Sequence, residues 1–173
     1  GVRNVLILAG NDWNRTVRPT DMIRAASDCG LYVGAVLNTS TPDRAAEIKL
    51  AGRKISYGAS FFLTQPVWSY ETVQEFHSAL DRNGIDAELY WGLFAAHDFN
   101  RVSRIGMDGI RVPDYVVAKS MNGSSGTKIS RELLDDFRSR GENVYLMGRR
   151  YDTGEYKRYS LKEFFECAGR SRI

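Results

Sequence analysis

The chain has 173 residues, 43% of them hydrophobic and 26% charged, the size and make-up of one globular domain and not of disordered or fibrous material. Its formal net charge is only +3, and its arginines are scattered among carboxylates, which excludes the concentrated basic face that nucleic-acid binding needs. No apolar run approaches the roughly 20 residues needed to span a bilayer. The opening Gly1-Val2-Arg3-Asn4 has no charged leader followed by an apolar stretch, so no secretory signal is expected and a cytoplasmic location is. Cys29 and Cys167 lie far apart and read as two reduced thiols.

In chain order, Val5 to Gly10 reads as a strand buried on both faces. Thr20 is placed to cap a helix that ends at Gly30. Tyr32 to Leu37 is the second strand. Thr41 followed by Pro42 predicts an N-cap with proline at the first helical position, and Gly58 closes that helix. Its inward stripe is expected at Ala45, Ile48, Ala51 and Ile55. Ser60 to Thr64 is the third strand. Ser69 opens a helix with Val73, Phe76 and Leu80 on one face and Gly84 after its end. Leu89 to Phe94 is the fourth strand, and Asp98 and Pro113 each start a shorter helix. Met121 to Lys128 is the most loop-like stretch; within it Gly123-Ser-Ser-Gly126 lacks the Gly-Lys-Ser/Thr of a phosphate-binding loop and reads as a turn. Ser130 begins a helix bearing Leu133, Leu134 and Phe137, and Val144 to Met147 is the fifth strand. After a polar excursion from Tyr151 to Tyr159, a capping box at Ser160 and Glu163 predicts a last helix that stops at Gly169.

This alternation predicts an α/β fold with right-handed parallel crossovers. Periodicity alone fits two architectures: an open five-stranded parallel sheet, or part of a closed (β/α)8 barrel.

Residue-level motifs carry the reading further. The segment from Arg53 to Trp68, RKISYGASFFLTQPVW, has a helix ending in basic residues, then a Gly-Ala turn, then a strand closing on Thr-Gln. Asn4 to Gly10 is a strand ending in a glycine turn. Gly92-Leu-Phe precedes Asp98-Phe99, Gly109-Ile-Arg-Val-Pro113 follows, and Val144-Tyr-Leu-Met closes the series. In this order the motifs resemble those of the flavin-dependent methylenetetrahydrofolate reductases. The resemblance implies a (β/α)8 TIM barrel whose fourth to eighth strands are these five, with the first three absent. The strand-one glutamate that serves the family as general acid is then absent as well, so no catalytic residue is assigned. Further N-terminal residues, or an oligomeric partner supplying strands, are expected.

In such barrels the active site lies at the C-terminal ends of the strands, here Asn11-Asp12, Asn38-Thr39, Gln65, the Ala95 to Asp98 loop and Gly148-Arg149. The resemblance makes Gln65 a folate contact, and a neutral amide with a donor and an acceptor suits a pterin edge that carries both. Asn11 stands where the family has an aspartate near flavin and pterin, and Asp12 is one residue on. Both are expected at the substrate, and Asn11 at the cofactor too. Phe99 is expected to stack on a planar ring. Arg53 and Lys54 match a basic pair on the flavin's diphosphate side, and Glu47 an acid placed for ribose hydroxyls. Leu50 replaces the family's asparagine between them. His77 and His97 have no carboxylate or cysteine at metal-ligand spacing, so no metal site is expected.

The implied function is reduction of 5,10-methylenetetrahydrofolate to 5-methyltetrahydrofolate in one-carbon metabolism and methionine biosynthesis, with FAD as cofactor and NADH, NADPH or another donor supplying electrons. A non-redox folate-binding or methyl-transfer subunit on the same barrel is the alternative.

Overall fold

The computed structural model of the chain describes residues 1–9, 16–105 and 111–147. Asn11, Asp12, Gly148, Arg149, Cys167 and the expected last helix lie outside them.

Five strands form one sheet in chain order: β1 (Asn4–Ile7), β2 (Tyr32–Leu37), β3 (Ala59–Pro66), β4 (Glu88–Phe94) and β5 (Val144–Met147). Every pairing is parallel. The described residues therefore form an open, curled five-stranded parallel sheet, the first of the two architectures that periodicity allowed. No described helix is long and apolar enough to cross a membrane.

The helices are α1 (Pro19–Asp28), α2 (Arg44–Ser56), α3 (Tyr70–Arg82), α4 (Phe99–Ile105), α5 (Asp114–Met121) and α6 (Gly126–Ser139). One side of the pleat carries the core. Ile7, Val33, Ala35, Leu37, Phe62, Leu89, Trp91 and Leu93 meet Ile23 of α1, Ile48 and Ala51 of α2, Phe76 and Leu80 of α3, and Leu134 and Phe137 of α6 in one buried cluster. A sheet wound in one direction with right-handed crossovers puts these helices on one face. The opposite face carries Asn4, Tyr32, Phe61, Leu63, Tyr90 and Tyr145, which line a concavity of about 220 Å³. Leu6, Leu8 and Tyr32 are exposed. A second, smaller cluster of Phe94, Phe99, Val102, Val112, Val116 and Ile129 ties α4, α5 and α6 to the end of β4.

Three helix starts differ from those expected. Helix α1 begins at Pro19, because the fixed φ of proline suits the first helical position, and Thr20 falls inside the first turn. Helix α2 is capped by Asp43, whose carboxylate accepts from the Ala46 amide at 2.9 Å. Thr41 instead accepts from the Asp43 amide at 3.3 Å, and Ala45 is exposed while Glu47 is buried. Helix α6 begins four residues before Ser130, with Ser125 accepting from the Lys128 amide at 3.2 Å. The stretch expected to be a loop thus contains the cap and first turn of a helix. Ser130 is fully buried, and its hydroxyl lies 3.0 Å from the Phe94 carbonyl and 2.9 Å from that of Gly126.

A candidate ligand rim at the strand ends

Gln65 sits in the last turn of pleat before β3 ends, and β3 is irregular there. Leu63 pairs with Tyr90, but Pro66 pairs with Gly92, so β3 spends three residues where β4 spends two. Such bulges break the ladder locally and redirect a side chain. Thr64 repairs the ladder: its hydroxyl accepts from the Gly92 amide at 2.9 Å and donates to the Gln65 carbonyl at 2.8 Å. The same carbonyl accepts from the Thr39 hydroxyl at 3.0 Å. The backbone of Gln65 is thus held from two sides. Its carboxamide, half-buried, makes no hydrogen bond among the described residues.

Next to it, the loop leaving β2 is held by α2. Glu47 is buried at 9% exposure, and its Oε1 accepts from the Asn38 amide at 3.1 Å and from Lys54 Nζ at 3.3 Å. Lys54 also donates to the Val36 carbonyl at 2.6 Å. Burial pulls the Lys54 ammonium below the ordinary lysine value, with the charge of Glu47 opposing that fall. Arg53, the adjacent cation, is exposed.

Beyond β4, the loop through Ala96 and His97 packs on the start of α6. The Gly126 amide donates to the His97 carbonyl at 2.8 Å, and a Cβ at Gly126 would come within 2.3 Å of the Ala96 carbonyl oxygen. Only glycine lets the two backbones approach so closely. Phe99 is fully buried, its ring edge-on to Trp68 at 5.3 Å and tilted against Phe94 at 6.4 Å. It is a core residue of the second cluster and presents no open ring face.

The structure therefore brings together Gln65, Thr39, Asn38, Glu47 and Lys54 at adjoining strand ends. It sets Phe99 apart in apolar packing, and Asn11 and Asp12 fall outside the described residues. Thr39 and Thr64 went unnoticed as positioning groups because a threonine at a strand end carries no pattern of its own. Their role arises from the β3 bulge, which only the pairing reveals. Among the described residues there is no group of three or more His, Cys, Asp or Glu side chains able to hold a metal ion.

Of the positions expected to hold a flavin, Glu47 and Lys54 are already engaged within the protein, Arg53 is exposed, and Asn11 lies outside the described residues. A diphosphate needs cations that face it, yet the Lys54 ammonium is already engaged by a carbonyl and a carboxylate. A ribose needs a carboxylate with open acceptor sites, whereas Glu47 is buried and serves the Asn38 amide and Lys54.

No family model matches the chain, and neither does any curated protein. Among solved structures, an uncharacterized protein from Clostridium thermocellum that binds two copies of 5-methyl-5,6,7,8-tetrahydrofolic acid is similar in fold, with a TM-score of 0.60 and 17% sequence identity. The likeness covers 88% of this chain and 58% of the other, so this chain spans less than two thirds of that neighbour's length.

Proposed function

We propose that the protein binds a reduced folate at the C-terminal rim of its sheet, with Gln65 contacting the pterin. The observation that carries this reading is the state of Gln65: a backbone fixed by Thr39 and Thr64, and a half-buried carboxamide at a strand end with no hydrogen bond among the described residues. A carboxamide offers one acceptor and two donors, the complement of a pterin edge bearing a carbonyl beside N–H groups. The methyltetrahydrofolate found in a protein of similar fold supports the choice of ligand class.

Flavin-dependent reduction of methylenetetrahydrofolate is the finer form of this reading. It rests on the ordered motifs from Asn4 to Met147, while the engagement of Glu47 and Lys54 weighs against it. The plain binding reading is therefore the one we favour. Further strand–helix units, from the same or a partner chain, are part of both proposed forms, and the exposed Leu6 and Tyr32 of β1 and β2 are surface that such units would cover.

Calorimetric titration with 5-methyltetrahydrofolate tests the proposal. Saturable binding is expected, and Gln65→Ala should weaken it by about tenfold, the worth of one or two neutral hydrogen bonds. Equal affinity in the variant would remove Gln65 from the site. Binding of FAD with its visible absorbance would favour the redox form.

A further inference from the structure

We propose that Glu47 and Lys54 form an internal strut that positions the rim loop beside Gln65, and that neither touches ligand or cofactor. This inference rests on the folate reading only for its functional consequence.

The two residues are seven apart on α2, about two helical turns, and so lie on one face of one rigid element. Their side chains are 12% and 10% exposed for Lys54 and Glu47 respectively, and they meet each other at 3.3 Å. What they grip is backbone. Lys54 holds the Val36 carbonyl inside β2, and Glu47 holds the Asn38 amide just beyond Leu37, the last paired residue of that strand. The next residue, Thr39, reaches across to the Gln65 carbonyl. Asn38 closes the turn itself, its side-chain oxygen accepting from the Ser40 amide at 3.0 Å.

Force thus passes from α2 through one backbone group inside β2 and one just beyond it to Thr39 and then to Gln65. A pair of nearly desolvated charges is a weak source of net stability, but removing one partner strands the other. Such a pair is suited to fixing a geometry. Two of the three ammonium donors and one carboxylate oxygen are used in doing so, and both side chains are held facing the β2 backbone.

The test combines 5-methyltetrahydrofolate titration with amide exchange at Asn38. Glu47→Ala removes the acceptor of the Asn38 amide. It should raise both Kd and the Asn38 exchange rate by about tenfold while the protein stays folded. Glu47→Gln combined with Lys54→Met removes both charges but keeps an acceptor for that amide. Here Asn38 exchange should stay within about threefold of the parent, and Kd should rise by less than in Glu47→Ala, because only the hold on the Val36 carbonyl is lost. Residues that bound ligand directly would lose as much in this double variant as in Glu47→Ala, and that result would overturn the strut. Should Glu47→Ala not fold, Glu47→Met with Lys54→Met leaves no buried charge, lacks the acceptor, and should show the same fast exchange. If the parent protein does not bind 5-methyltetrahydrofolate, the folate reading falls and exchange alone decides. Fast exchange confined to variants without the acceptor supports the strut, and unchanged exchange refutes it.

Discussion

The Tyr145 hydroxyl donates to the Thr64 carbonyl at 2.5 Å, joining β5 to β3 although β4 runs between them. The bond passes over Gly92, where a Cβ would lie 2.8 Å from the Thr64 oxygen and 3.1 Å from the Tyr145 hydroxyl. Gly92→Ala should therefore cost about 1–3 kcal/mol, the usual penalty for overfilling a packed site. Urea unfolding measures it. A midpoint equal to that of the parent would show that the inner face yields to a methyl group.

Burial pushes the Tyr145 phenol up to about 12. The neutral form is favoured by folding, so its contribution is complete below the ordinary phenol value near 10 and fades as pH rises through about 12. Tyr145→Phe should be less stable than the parent by about 1 kcal/mol at neutral pH. That gap should shrink steadily between pH 10 and 12. Thermal unfolding of both proteins across this range gives the comparison, and a gap that widens with pH would contradict the assigned direction.

Glu142 precedes β5 and collects three donors. It accepts from the Trp91 indole at 2.8 Å, from Tyr70 at 3.4 Å, and lies 3.1 Å from His77 Nε2. Trp91 is fully buried, so Glu142→Ala leaves its indole N–H with no acceptor in this cluster. A loss of about 1–3 kcal/mol is expected, accompanied by a shift in tryptophan emission. Glu142→Gln keeps a carbonyl for the indole and should lose less. Equal losses in the two variants would point to the charge and away from the hydrogen bond.

Phe99 separates packing from recognition. Its ring is enclosed by Trp68, Phe94 and the α4–α6 cluster, so Phe99→Ala should destabilise by about 3–5 kcal/mol. Phe99→Leu, which keeps most of the volume, should retain 5-methyltetrahydrofolate affinity under conditions where it is fully folded. A large drop in affinity with little change in stability would return Phe99 to the ligand.

The strands were legible because each is a run of apolar residues bounded by turn residues. β2 and β5 match their expected limits, and β3 and β4 extend by one or two residues, whereas β1 starts one residue early at Asn4, stops at Ile7 before Leu8 and Ala9, and leaves Leu6 exposed where burial on both faces was expected. Helix faces were legible where large side chains repeat, as at Val73, Phe76 and Leu80. Helix starts were less so, since Thr41, Asp43, Ser125 and Ser130 are all chemically able to cap, and tertiary contacts chose among them. Ser130 lost that role to the Phe94 carbonyl, a partner 36 residues away. At the rim, Gln65 stood out by residue type. Glu47 and Lys54 were noticed as charges, but their inward orientation follows from the unpaired backbone at the end of β2, which the sequence does not display. Phe99 shows the same limit, because an aromatic residue after a strand reads alike whether it meets ligand or core.

The strand order runs one to five without reversal. A doubly wound sheet offers a ligand a crevice where its winding changes direction, and the described strands have no such point. The proposed folate site is instead shared among loops that each leave a different strand at the same end. Because the side chains that build the helix-covered core belong to the strands and helix faces, those loops can change without disturbing it. Ligand preference in this architecture is adjustable one loop at a time, with Thr39 and Thr64 as fixed points from which the neighbouring contacts can be varied.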